Sequence, residues 1–252
     1  MFDVTYDKQN TMWKFRGDEN LNDYTLIITS VAVGNVGQLA CDLLISSLAM
    51  RKIASVYSPA VIPVVGYNPY DLDSKELSTS CETYKSDSRK VIVLQFRASL
   101  VHKYARDFLE NVVKTFKEKC IKDIVILTSS FAHENKHISG SPFRFIANEW
   151  CPYKMMINTL NWVQHDKDAG TKIHGGGFAS LLYEITTANS IPCLILFKYC
   201  SEGDNIPDAF EMVYYLARIL PIFNKEKDFV EQMAHPVSWK YLFGRPPPKE
   251  IY

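Results

Sequence analysis

The chain has 252 residues, with 28 Lys+Arg against 28 Asp+Glu and 47% hydrophobic residues. That is long enough to bury a core without disulfides or structural metal. The zero formal charge removes the basic footprint of nucleic-acid or anionic-membrane binding.

The first residues, MFDVTYDKQNTMWKF, mix charges with aromatics and lack the apolar centre and small-residue cleavage site of a signal peptide. No uninterrupted apolar run reaches membrane-spanning length. The six cysteines are scattered without a C-x-x-C pair and read as thiols of a reducing compartment. The expectation is an intracellular protein.

TLIITSVAV, residues 25–33, is a β-branched run of the kind buried on both faces, and it stops at Gly34. GQLACDLLISSLAM follows with Leu39, Ala40, Leu43, Leu44 and Leu48 near helical spacing, so the unit is strand, glycine turn, helix. IASVYS and VIPVVGY read as further strands, limited by Pro59 and Pro63. Residues 71–90 read as a polar loop around a short strand at CETYK.

RKVIVLQFRA predicts another strand. KYARDFLENVVKTFKEKC behind it sets Phe108, Val112, Val113 and Phe116 on one helix face, and KDIVILTSS is a third buried strand. PCLILFKYC and IPDAFEMVYYLARIL repeat the alternation near the C-terminus. Buried strands alternating with amphipathic helices predict an α/β fold, a three-layer α/β/α domain with a largely parallel central sheet. Neither a repeat nor an interdomain linker is visible, so one domain is expected.

Three short motifs resemble catalytic signatures, and each lacks its partner. His133, Glu134 and His137 have the H-E-x-x-H spacing of zinc proteases, which needs a helix; here it follows a strand directly, and Ser139, Gly140, Ser141 and Pro142 would break a helix one turn later. His102, His165, His174 and His235 supply no third ligand at a telling spacing. GNVG, Gly34 to Gly37, sits where a dinucleotide fold carries its phosphate loop, without the third glycine or the distal acid. HGGG, His174 to Gly177, matches an esterase oxyanion-hole sequence, yet no G-x-S-x-G nucleophile elbow exists. The glycines Gly34, Gly37, Gly175, Gly176 and Gly177 therefore read as tight structural turns. No catalytic residue, cofactor or metal is assigned.

SEGDNIPDA, Ser201 to Ala209, joins a glycine turn to Asp204 and Asn205 as candidate helix caps and Pro207 in a first helical turn. Together with SVAVGNVGQLACDLLISSL, VIPVVGYNPYD, SPFRF, the GGG turn before LLYE, and SWKYLFG, this segment resembles the proteasome assembly chaperone 2 family in order from about Tyr24 to the C-terminus. The resemblance implies a non-enzymatic scaffold with a nucleoside-phosphorylase-like fold. It would pair with proteasome assembly chaperone 1, hold proteasome α-subunits while their ring assembles, and block off-pathway ring association. It would work in the cytoplasm and also the nucleus. The rival reading is a nucleoside or nucleotide enzyme using the GNVG and HGGG turns.

On this basis residues 1–23 are an N-terminal extension, 24–243 a single α/β chaperone domain and 244–252 a Pro-rich tail. RPPPKEIY favours an extended polyproline II arm, and Ile251 and Tyr252 offer an apolar anchor, a ring and a carboxylate to a lysine-bearing pocket. Proteasome-binding factors often end in hydrophobic-Tyr-X; here the tyrosine is last. Phe143, Phe145, Tyr214, Tyr215, Trp239, Tyr241 and Phe243 are the aromatic candidates for core or interface, with Trp239 to Phe243 expected nearest a partner.

Overall fold

The computed structural model describes residues 11–136, 140–160, 162–166 and 170–241. In chain order the elements are β1 (Met12–Phe15), β2 (Thr25–Thr29), α1 (Val36–Ser47), β3 (Arg51–Tyr57), β4 (Val65–Tyr67), β5 (Leu77–Thr79), β6 (Cys81–Ser86), β7 (Val91–Phe96) and α2 (His102–Glu118). They continue with β8 (Asp123–Phe131), β9 (Phe143–Ala147), α3 (Lys154–Thr159), α4 (Ala179–Ala188), β10 (Cys193–Cys200) and α5 (Ile206–Ile219).

Eight strands form one sheet in the order β1-β3-β6-β7-β2-β8-β10-β9, and β4 and β5 form a separate antiparallel pair. The four apolar runs make the centre: β7, β2, β8 and β10 are mutually parallel neighbours. The wings differ from the expected largely parallel sheet, because β6, β3 and β1 on one side and β9 on the other all pair antiparallel. The short turn between β6 and β7, closed by Lys90 at φ 53, permits only a hairpin there. The sheet is therefore mixed, parallel at its heart.

Both faces of the central strands are buried, and the period-2 alternation divides their side chains. Leu26, Ile28, Ile126 and Phe96 join Phe108, Val112 and Phe116 of α2 and Leu182 of α4. Ile27, Val125 and Leu127 join Leu43 and Leu44 of α1 and Met212 and Leu216 of α5. Three layers result, with α3 added to the α1 and α5 side through Ile157. Phe143 and Phe145 are buried, and Tyr215 stacks on Phe143 at 4.1 Å. Five cysteines are buried and Cys120 is exposed; all six are free thiols. Burial pushes the Cys193 thiol up to about 12, which suits packing rather than reactivity. Among the described residues no helix is long and apolar enough to cross a membrane.

Two outer features were not legible in the sequence. β1 lies inside the segment read as an N-terminal extension, yet Met12 to Phe15 pair with Tyr57 to Ala54 of β3. At the opposite edge, residues 163–165 run beside β9: the Phe145 N–H donates to the Val163 carbonyl, and the His165 N–H to that of Phe145.

Ion pairs hold the wing strands. All six residues of β6 are buried although the segment reads CETYKS. Glu82, 1% exposed, accepts from Lys52 at 2.5 Å and from Ser78 and Tyr84 at 2.7 Å. Burial pushes its pKa up, but these donors outweigh burial and hold it low. Glu19, just before β2, accepts from Arg51 of β3 at 2.6 and 2.9 Å and from Lys85 of β6 at 2.9 Å. The Arg51 hydrogen bonds lead in drawing Glu19 from 4.5 to about 2. A lowered carboxylate stabilises the fold above its unfolded pKa and loses that effect as pH falls through the folded one. Glu19→Gln should therefore lower the urea midpoint at pH 7 and flatten its decline between about pH 4.5 and 2; an unchanged pH profile would remove Glu19 from the clamp.

Candidate functional site

In open α/β sheets ligands bind outside the carboxyl ends of the parallel strands. Here β2, β8 and β10 end together against three loops, which contain the glycine turns and the start of α5. Ser30 donates its hydroxyl to the Gly176 carbonyl at 2.9 Å and accepts the Phe178 N–H at 2.9 Å. Thr128 donates to the same Gly176 carbonyl at 2.9 Å, and Ser130 to the His174 carbonyl at 2.8 Å. The Val33 N–H donates to the Gly175 carbonyl at 3.0 Å, and Ser129 donates to the Val33 carbonyl. The Asn35 N–H is committed to the Ala32 carbonyl at 3.1 Å.

GNVG and HGGG, far apart in sequence, are thus two halves of one polar knot. Two glycines are required by geometry. Gly34 has φ +65, and a Cβ there would lie 2.6 Å from Nδ2 of Asn205 and 3.0 Å from Sγ of Cys200. Gly177 has φ +61, and a Cβ would lie 2.2 Å from the Val31 carbonyl oxygen. Gly37 lets the first turn of α1 rest on β8, with the Leu127 carbonyl 2.6 Å from the Cβ position. Gly175 faces the Phe131 ring and Gly176 the Ile173 side chain.

The helix-start residues differ in detail from a capping motif. Asn205 occupies the N-cap position of α5 without a side-chain cap bond, and Pro207 lies in the first turn. The Asn205 amide instead donates back to the Ser201 and Gly203 carbonyls at 3.1 and 3.2 Å, because its side chain is wedged against Gly34. Asp204 accepts the Ile206 N–H at 3.1 Å.

On the other side of β2 a second closure was missed from sequence. Asp42 on α1 accepts from Arg97 at 2.8 and 3.2 Å, from Gln95 at 2.9 Å and from the Tyr70 hydroxyl. Burial, with the Asp42 charge, raises the Tyr70 pKa well above the ordinary value, so the phenol stays a donor. Gln38 donates to the Phe96 carbonyl at 3.0 Å. Beyond the glycine turns, the sequence signal for the first closure is the hydroxyl run Thr128 to Ser130 ending an apolar strand.

His133 and Glu134 lie in a three-residue 3-10 turn, Ala132–Glu134, and not on an α-helix. His133 stacks on Phe131 at 5.2 Å. His137 lies outside the described residues, as do Phe243 and the tail with Ile251 and Tyr252. Among the described residues no group of three His, Cys, Asp or Glu could hold a metal. Trp239 is partly buried and packs edge-on to His235 at 5.7 Å, while Tyr214 is exposed.

The same architecture occurs in solved archaeal structures. PbaB of Pyrococcus furiosus, an archaeal proteasome activator, aligns over 89% of this chain and 93% of its own with a TM-score of 0.69 and 16% identity. PbaA of that organism, an archaeal homolog of proteasome-assembly chaperone, aligns over 88% and 91% with a TM-score of 0.68 and 16% identity. The sequence matches the PAC2 family over residues 26–222, and the chain belongs to that family. Relatives named proteasome assembly chaperone 2 are 34% identical in Homo sapiens (92% of this chain, 96% of the relative) and 35% identical in Mus musculus (92% and 96%). The Saccharomyces cerevisiae protein of that name is 25% identical over 87% of this chain and 94% of its own.

The knot makes a sharp prediction. Gly177→Ala should cost at least about 2 kcal/mol in urea unfolding, from a positive φ and a backbone collision. Gly66→Ala, with nothing within 4 Å of the added Cβ, should stay within about 0.5 kcal/mol. Equal losses at the two positions would contradict the geometry.

Proposed function

We propose that this chain is a non-catalytic assembly chaperone subunit. It pairs with proteasome assembly chaperone 1, and the heterodimer holds proteasome α-subunits during ring assembly and bars off-pathway ring association. The carrying observation is the knot: where an α/β enzyme keeps its ligand crevice, the hydroxyls of Ser30, Thr128 and Ser130 and the N–H groups of Val33 and Asn35 are spent on the chain's own carbonyls, and the Phe178 N–H on the Ser30 hydroxyl. A nucleoside enzyme of phosphorylase-like ancestry would need those donors for substrate. The names of the relatives point the same way. The heterodimer would act where core particles are built, in the cytoplasm and nucleus.

Binding surfaces support this reading. Ile62, Val64, Val65, Tyr67, Leu72 and Leu77 are exposed apolar side chains within and around the β4 and β5 ladder. The C-terminal segment reaches this region, since the Ser238 N–H donates to the Pro69 carbonyl at 3.1 Å. We assign the ladder to the partner chaperone and the tail, with Ile251 and Tyr252, to an α-subunit pocket.

Native mass spectrometry of the tagged protein, purified gently from its own cells, tests the whole reading. The expected species is a heterodimer with a second chaperone of similar fold, alone and with α-subunits; a monomer or homodimer would overturn it. Tyr67→Glu should weaken the heterodimer by about tenfold or more, as truncated interface anchors do. Deleting Ile251 and Tyr252 should leave the heterodimer intact and reduce α-ring capture, and unchanged capture would eliminate tail docking.

A further inference from the structure

Beside the knot, a cleft of about 550 Å³ opens at the carboxyl ends of β8 and β10, with Arg144 of β9 in its wall. Arg144 is only 5% exposed. Its Nη1 donates to the carbonyls of Ser141 and Phe143, its Nη2 to Oδ1 of Asn135 at 3.2 Å, and its guanidinium lies 5.4 Å from the centre of the Tyr199 ring. Every one of these partners is neutral. Among the described residues no carboxylate comes within ion-pair distance of Arg144, whereas Arg51, Arg97, Lys52, Lys85 and Lys198 each have one.

A guanidinium keeps its charge in proteins, and a buried charge without a counter-ion is costly. The rest of the wall adds positive charge. Lys136 and Lys172 line the cleft, are exposed, and form no ion pair among the described residues. The acids facing them are Glu134, which lies 3.8 Å from His133, and Asp166. Among the described lining residues, three cations thus face two carboxylates. Burial lowers the pKa of His165, so at neutral pH its ring adds no charge and bonds the Lys172 carbonyl at 3.2 Å.

We propose that this cleft binds a small molecule bearing an oxyanion, a phosphate or carboxylate, which Arg144 grips while Lys136 and Lys172 supply charge at the rim. The planar guanidinium fork fits such groups. The cleft volume is in the range of small-molecule sites and leaves room for a body beyond the anion. This site is independent of the chaperone reading and stands or falls separately.

The test is thermal unfolding and calorimetric titration of the full chain with inorganic phosphate and with succinate, against chloride at constant ionic strength. A saturable rise in Tm with either probe at millimolar concentration is expected. Phosphate alone would assign a phosphorylated ligand, and succinate alone a carboxylated one. Arg144 also holds two backbone carbonyls, so the decisive variant is Lys136→Gln with Lys172→Gln. It should keep the Tm in chloride and weaken the apparent Kd at least tenfold. No saturable rise with either probe, or unchanged affinity in the double lysine variant, would overturn the proposal.

Discussion

One carbonyl oxygen organises the end of the sheet where this fold class keeps its ligands. The Gly176 carbonyl takes hydroxyl protons from both Ser30 of the β2 end and Thr128 of β8, each at 2.9 Å. A loop that follows β9 in sequence is thereby tied to two central strands. Buried polar groups must find partners, and these hydroxyls find theirs within the chain. Once Gly176 is held, Gly177 has to pass the Val31 carbonyl closely and Gly175 has to face Phe131. Gly34 and Asn205 then close the same corner from the α5 side. The convergence of the three loops follows from satisfying a few polar atoms at the end of an apolar sheet.

The central strands and helices α1, α2 and α5 were readable because their signals are local. TLIIT, VIVLQF, DIVIL and CLILF are apolar at successive positions, as strands buried on both faces must be, and α2 sets Phe108, Val112 and Phe116 on one side. The wings were harder. β6 is fully buried while carrying Glu82, Thr83 and Lys85, which no alternation pattern reveals, since Lys52 and Glu19 neutralise it from distant positions. VIPVVGY gave only the three-residue β4, because the strand begins after Pro63, which has no N–H to donate. α3, at six residues, was too short to show a period.

The site followed the same logic. Each glycine was identifiable as a turn on its own, but nothing local says that Gly34 and Gly175 belong to one corner. Their meeting depends on β2, β8 and β10 lying side by side. Asn205 reads as a cap by residue type, yet its amide is drawn backward to the Ser201 and Gly203 carbonyls, a tertiary override of a local preference. Arg144 sits in an apolar run, FRFIA, and only β9's placement beside β10 brings its guanidinium over Tyr199.

The two ends of the sheet decide how another protein can join it. An exposed strand edge invites a partner to add a strand through main-chain hydrogen bonds. One edge here is β1, four residues long, with Lys14 facing solvent; the other is β9, whose free side is already taken by residues 163–165. Continuous sheet extension across a subunit boundary is therefore disfavoured at both margins. What these two margins leave for contact is side chains, and short or covered edges also work against edge-to-edge polymerisation.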